Sequence, residues 1–297
     1  MWKHRCHDHA TPASRSGQFR FGDRYVNRLG YGAMRLSGPG IMGPPADPEE
    51  AAAVLQRAQD AGVNHIDTSD YYGPYVVNDL IRESLYPYSP ELALVTKVGA
   101  KRTPDGGWPE ATSPAELRQA VEDNLTRLRI ESIFAVNLRL AAADGGVYTG
   151  SLAEPYGALV ELQRQGKIQH LGVSNVGIAQ VDEALSISPI ACVQNAYNLA
   201  HRADDQLIDY LASLGIAYVP FFPLGGFAPL QSAKLDAVAA RVGATPMQLA
   251  LAWLLRRSPN ILLIPGTSTR AHLDENLGAA DVAARLDTDT LAELNAL

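Results

Sequence analysis

Residues 65–85 read HIDTSDYYGPYVVNDLIRESL, and the chain resumes at 92–98 with LALVTKV. The first run begins as an apolar strand end, reaches an acid at Asp67, and crosses a turn holding Tyr71, Tyr72 and Gly73. It then enters a segment whose Val77, Leu80, Ile81 and Leu85 recur at helical spacing. The second run is apolar almost throughout and carries Lys97 at its end. Strand, turn, helix, strand is the repeat of a parallel α/β fold, whose strand ends carry chemistry.

The same alternation extends in both directions. Strand-like runs lie at 28–34, 63–69, 92–98, 133–140, 168–175, 190–197, 216–222 and 261–266. They are continuous apolar runs, as parallel strands covered on both faces require. Asp47-Pro48, Ser113-Pro114 and Thr245-Pro246, each with Glu or Gln at the third helical position, mark helix starts. Leu117, Val121, Leu125 and Leu128 form an apolar stripe on one of these helices. Gly62, Gly166 and Gly215 stand where helices 51–61, 152–165 and 204–214 should stop. Eight strand–helix alternations predict a (β/α)8 barrel over residues 18–297, entered through a hairpin around Gly22-Asp23. A doubly wound sheet competes, but Gly30-Tyr31-Gly32-Ala33-Met34-Arg35 lacks the third glycine of its dinucleotide turn. The Pro-rich stretch 39–48 reads as the first long loop.

A formal charge of −7 speaks against nucleic acid, which calls for a basic surface. No apolar run approaches the roughly 18 residues of a membrane span. Residues 1–17 lack the apolar region of a secretory leader and read as a disordered polar tail. His4, Cys6, His7 and His9 in that tail are metal-capable types, but no ligand set assembles elsewhere, so no metal is expected. Only Cys6 and Cys192 are present, which points to a reducing, cytoplasmic setting without a disulfide framework.

In a barrel, Asp67, Tyr72, Lys97 and Arg139 converge on one mouth. A buried Lys97 ammonium needs a partner, and Asp67 is the candidate. A lysine beside Tyr72 is expected to lower its phenol from about 10 and make it a usable general acid. From spacing alone, a core ion pair with Tyr72 as loop packing is an equal alternative.

Several spaced motifs change that balance. Asp67-Thr68…Tyr72-Gly73 with Asn78, Val95-Thr96-Lys97, Gly172-Val173-Ser174-Asn175, Gln194 with Tyr197-Asn198, and Ile264-Pro265-Gly266 with Glu275-Asn276 together resemble the aldo-keto reductases. The likeness runs from about residue 18 to 290 and implies a barrel that binds NADP(H) without a Rossmann fold. It implies Tyr72 as proton donor to a carbonyl oxygen, Lys97 tuning the phenol and Asp67 holding Lys97. Arg139 stands where most members carry histidine; a guanidinium donates hydrogen bonds but cannot shuttle a proton. The alternative for Arg139 is a salt bridge to Asp70 or Asp144.

For the cofactor, the resemblance implies Ser174, Asn175 and Gln194 at the nicotinamide carboxamide and Phe222 stacked on its ring. Leu224, Gly225 and Gly226 fall at the pyrophosphate. Gly266, Thr267, Ser268, Arg270, His272, Glu275 and Asn276 fall at the adenosine end. Gly266 and His272 replace a lysine and an arginine of many members, so NADPH is expected and NADH is the alternative. Tyr71 and Trp108 are candidates to line an aromatic slot. Within the family the likeness is to a subgroup that reduces pyridoxal, an aromatic aldehyde. Other readings are reduction of another ketone, aldehyde or imine in specialised metabolism, and a regulatory barrel that binds NADPH without turnover. The expected partner is a small carbonyl compound, with no nucleic acid or membrane, on a monomer or weak homo-oligomer.

Overall fold

The hairpin forms where Gly22-Asp23 predicts it. In the computed structural model, which describes residues 10–225 and 233–297, β1 (Gln18–Phe21) pairs antiparallel with β2 (Arg24–Asn27). Seven strands follow: β3 (Tyr31–Gly32), β4 (His65–Asp67), β5 (Ala93–Val98), β6 (Ile133–Arg139), β7 (Ile168–Ser174), β8 (Cys192–Ala196) and β9 (Ala217–Phe221). They lie in chain order, all parallel. Residues 261–265 close the ring as an eighth strand. Leu263 N donates to Arg28 O at 2.7 Å, Gly30 N to Leu263 O at 2.8 Å, and Leu262 N to Tyr218 O at 2.9 Å. The eighth strand stops at Pro265, which has no N–H to continue the ladder, and β3 is shorter than the run 28–34 predicts because Ala33–Leu36 form a helical turn.

The helices around the ring are α1 (Pro48–Asp60), α2 (Val76–Leu85), α3 (Pro114–Leu128), α4 (Ala153–Arg164), α5 (Ile178–Ile187) and α6 (Asp205–Ser213). Then come α7 (Ala233–Val242), α8 (Pro246–Arg257), α9 (Arg270–Leu277), α10 (Ala279–Arg285) and α11 (Thr288–Asn295). The predicted caps are made: Asp47 accepts from Glu50 N, and Ser113–Glu116 and Thr245–Gln248 are reciprocal capping boxes. No single described helix is long and apolar enough to cross a membrane.

The expected tail needs correction. Ala13–Ser16 form a helical turn in which Ala13 and Ser16 are buried, Ala13 N bonds Ala61 O, and Ser16 Oγ accepts from Leu29 N at 2.9 Å. The turn supplies a partner for the amide of Leu29, just before β3 begins, so the segment docks instead of staying free. Residues 1–9, with His4, Cys6, His7 and His9, lie outside the described residues, as does Gly226.

The core has two parts. One lies between the ring and its helices. The other fills the ring interior, where Phe21 and Val26 of the hairpin plug one end against Ala93, Phe134 and Leu262. Phe21 meets His65 and Phe134 edge-on, each at 5.3 Å between ring centres. Truncating this plug leaves a cavity that the closed ring cannot collapse into, so Phe21→Ala should cost about 3–5 kcal/mol, read as a lowered urea midpoint with unchanged slope.

Candidate active site

Strand alternation puts every second residue on the inner face. The register pairs Lys97 with Asn137, Arg139 with Ser174, and Ser174 with Gln194, which gathers their side chains at the carboxyl end of the ring. There Lys97, Arg139, Ser174 and Gln194 line a cavity of about 740 Å³ together with Asp67, Tyr71, Tyr72 and Trp108.

Asp67 is almost fully buried and both of its oxygens are used. Oδ1 is ion-paired with Lys97 Nζ, and Oδ2 accepts from Gln194 Nε2 at 3.0 Å. Lys97 also donates to Thr68 O at 3.2 Å, and its Nζ lies 5.2 Å from the centre of the Tyr72 ring.

The Tyr72 turn is fastened by a buried polar network. Thr68 Oγ1 donates to Asn78 Oδ1, Asn78 Nδ2 donates to Asn124 Oδ1, and Thr96 Oγ1 donates to the same oxygen. Ser69 Oγ donates to Lys97 O at 3.1 Å. These bonds tie the loop after β4 to α2, α3 and β5 at once. Gly73 has φ +105°, and a Cβ there would stand 2.5 Å from the Val76 side chain, so the glycine is a steric requirement.

The phenol of Tyr72 departs from the sequence expectation. Burial holds it well above 10, the Asp67 charge pushes it further, and Arg139 is the cation that opposes them. Lys97 is ion-paired with Asp67 and lies over the face of the ring, and Arg139 is the cation that lowers the phenol. Arg139, half-buried at the end of β6, forms no ion pair with Asp70 or Asp144 among the described residues. The salt-bridge alternative is not what the structure shows.

The expected cofactor residues divide into two groups. Ser174, Asn175, Gln194, Phe222, Leu224 and Gly266 line the cavity. Asn175 takes φ +64°, and its Nδ2 donates to Leu140 O and Gly146 O. Gln194 Oε1 is buried without a partner among the described residues. A Cβ at Gly266 would come 2.8 Å from Gly32 O, which explains why no larger residue stands there. Gly225, Thr267, Ser268, Arg270, His272, Glu275 and Asn276 lie beyond that cavity wall. Of these, Arg270 is already engaged: its guanidinium meets Glu50 at 2.9 Å. Glu275 accepts from Thr245 Oγ1 at 2.8 Å. Arg35 was not singled out by the motifs, yet it lines the cavity as an exposed cation after β3. Its only signal in sequence is an arginine one turn beyond the Gly-x-Gly strand.

A model of the aldo/keto reductase family matches residues 28–297. The chain belongs to the aldo/keto reductase family. It is 57% identical over 283 residues to pyridoxine 4-dehydrogenase of Escherichia coli strain K12, covering 95% of this chain and 98% of that one. A thermostable aldo-keto reductase crystallised with the inhibitor epalrestat superposes with a TM-score of 0.79 at 28% identity, covering 94% and 98% of the two chains. An aldo-keto reductase from Klebsiella pneumoniae in complex with NADPH gives 0.75 at 25% identity, covering 94% of each chain. The (β/α)8 reading and this reductase's family are thereby shown.

One acid in this reductase carries a pH signature. Asp70 is buried beside Ser69, and burial, then the charge of Asp123, pushes its carboxyl up to about 7. An acid raised above its unfolded value near 4 is protonated in the folded chain and ionised in the unfolded one between those limits. Stability therefore falls as pH rises from about 4 to about 7 and is flat above. Asp70→Asn should raise the melting temperature by a few degrees at pH 8 and leave it nearly unchanged at pH 4, measured by calorimetry at both.

Proposed function

We propose that this reductase uses NADP(H) to interconvert pyridoxal and pyridoxine, with Tyr72 handling the proton, in one barrel domain spanning residues 18–297. The observation that carries the reading is a buried Lys97–Asp67 pair beneath a buried phenol at the wall of one cavity, in a chain 57% identical to a pyridoxine 4-dehydrogenase.

The residues present fit the cofactor. Gln194 Oε1, buried without a partner among the described residues, is an acceptor suited to an amide N–H, and Asn175 lines the same cavity. Ser174 Oγ adds a hydroxyl and Phe222 an aromatic face. Arg35 and Arg139, neither in an ion pair among the described residues, bring guanidinium charge to the cavity, which suits a ligand rich in phosphate. At the adenosine end, Thr267 Oγ1 donates to Thr269 O, and the backbone amide and guanidinium of Arg270 both meet the half-buried Glu50, so a phosphate there takes Arg270 by displacing that carboxylate. When bound, the reduced nicotinamide supplies a hydride to the carbonyl carbon.

The chain's own groups manage charge on the carbonyl oxygen. Tyr72 stays protonated until the substrate oxygen gains charge, because its phenol lies well above 10. Arg139 donates toward that oxygen and stabilises the phenolate left behind, since a guanidinium stays charged at every working pH. Lys97 and Asp67 neutralise each other and fix the floor under the phenol. In the reverse direction it is the phenolate form of Tyr72, stabilised by Arg139, that accepts the proton of the alcohol.

Tyr72→Phe removes only the proton. It should lower kcat for pyridoxal reduction by on the order of 10²–10⁴ while NADPH binding, read by fluorescence, changes little. A variant that turns over at the parent rate sinks the assignment.

A further inference from the structure

Arg102, on the loop after β5, has no place in the proton chemistry, yet its guanidinium is among the most heavily used in the molecule. Nη1 donates to Ile41 O at 2.7 Å and Nη2 to Gly40 O at 2.9 Å, both on the loop after β3. Nε and Nη2 also donate within their own loop, to Gly107 O and Gly106 O, each at 3.3 Å. The face of the same group lies 3.8 Å from the centre of the Trp108 ring.

Two of the groups it holds line the substrate cavity, Ile41 and Trp108. Each needs holding. Ile41 has φ +60°, a conformation that a β-branched residue adopts only when its surroundings impose it. Arg102 Nη1 and Gly73 N both donate to its carbonyl. Trp108 is 38% exposed, so packing alone does not fix its ring. Its inner edge meets Tyr71 at 5.5 Å and 83°, and Tyr71 in turn meets Tyr72 at 5.5 Å and 87°. Arg102 is thus the outer anchor of an aromatic row that ends on the proton donor.

We propose that Arg102 is a positioning residue that sets specificity for ring-bearing aldehydes, by clasping two loops so that Ile41 and Trp108 present a fixed wall. This rests on the reductase reading above. The planar fork is essential: four carbonyls and one ring face are served by one rigid group, which a lysine ammonium cannot copy.

The test is a double-mutant cycle on Arg102→Met and Trp108→Ala, with pyridoxal and propanal as substrates and NADPH as reductant. Arg102→Met should raise KM for pyridoxal about tenfold, the effect of one well-placed contact, with kcat within about threefold. KM for propanal, too short to span the wall, should move less than about threefold. The double variant should lose clearly less than the product of the two single losses, the remainder being the Ile41 share, and Arg102→Lys should recover little. Effects that multiply in the double variant, or equal KM losses for both aldehydes, overturn the proposal. Acrylamide quenching gives a readout independent of turnover: Arg102→Met should expose Trp108, and the increase should vanish in a Trp108→Phe background. If the parent reduces neither aldehyde, the reductase reading falls, and the quenching result alone decides whether Arg102 clasps the wall.

Discussion

The site depends on one buried ion pair. Lys97 and Asp67 come from neighbouring strands and meet inside the ring, almost sealed from water. Such a pair is costly to desolvate and is weak evidence for stability; breaking it by removing one partner costs roughly 3–5 kcal/mol. Its value here is positional. Asp67 also takes the amide of Gln194 from across the barrel, and Lys97 takes the carbonyl of Thr68 at the start of the tyrosine turn. One pair therefore ties strands β4, β5 and β8 to the loop that carries the phenol.

The electrostatics differ from what proximity alone suggests. A cation within a few ångströms of a phenol should favour phenolate, yet this ammonium is neutralised by a carboxylate and faces the ring. Burial then dominates, and the phenol is held protonated. For an acid that donates to an oxygen gaining charge, this is a useful state. Arg139 lines the same cavity, and its charge opposes the rise of the phenol.

Much of this was legible in the sequence because it rests on local rules. Continuous apolar runs, Pro-led helix caps and stop glycines located the ring, and the strand-end positions of Asp67, Lys97 and Arg139 located the mouth. The spacing of Asp67, Thr68, Tyr72, Gly73 and Asn78 has a physical source: Thr68 bonds Asn78, and Gly73 makes room for Val76. What stayed hidden depends on contacts between distant segments. Ser16 is anchored by an amide thirteen residues away, Arg270 is captured by Glu50 from the far end of the chain, and Arg102 reaches back to Gly40 and Ile41. The upward shift of Tyr72 is hidden for the same reason, since orientation and burial are not written in spacing.

The most direct measurement is single-turnover decay of NADPH fluorescence on mixing with pyridoxal, in the parent and in Lys97→Met. If the buried pair sets the phenol in place, the decay slows by at least about a hundredfold while NADPH still binds. A variant whose decay matches the parent would contradict the account at its root.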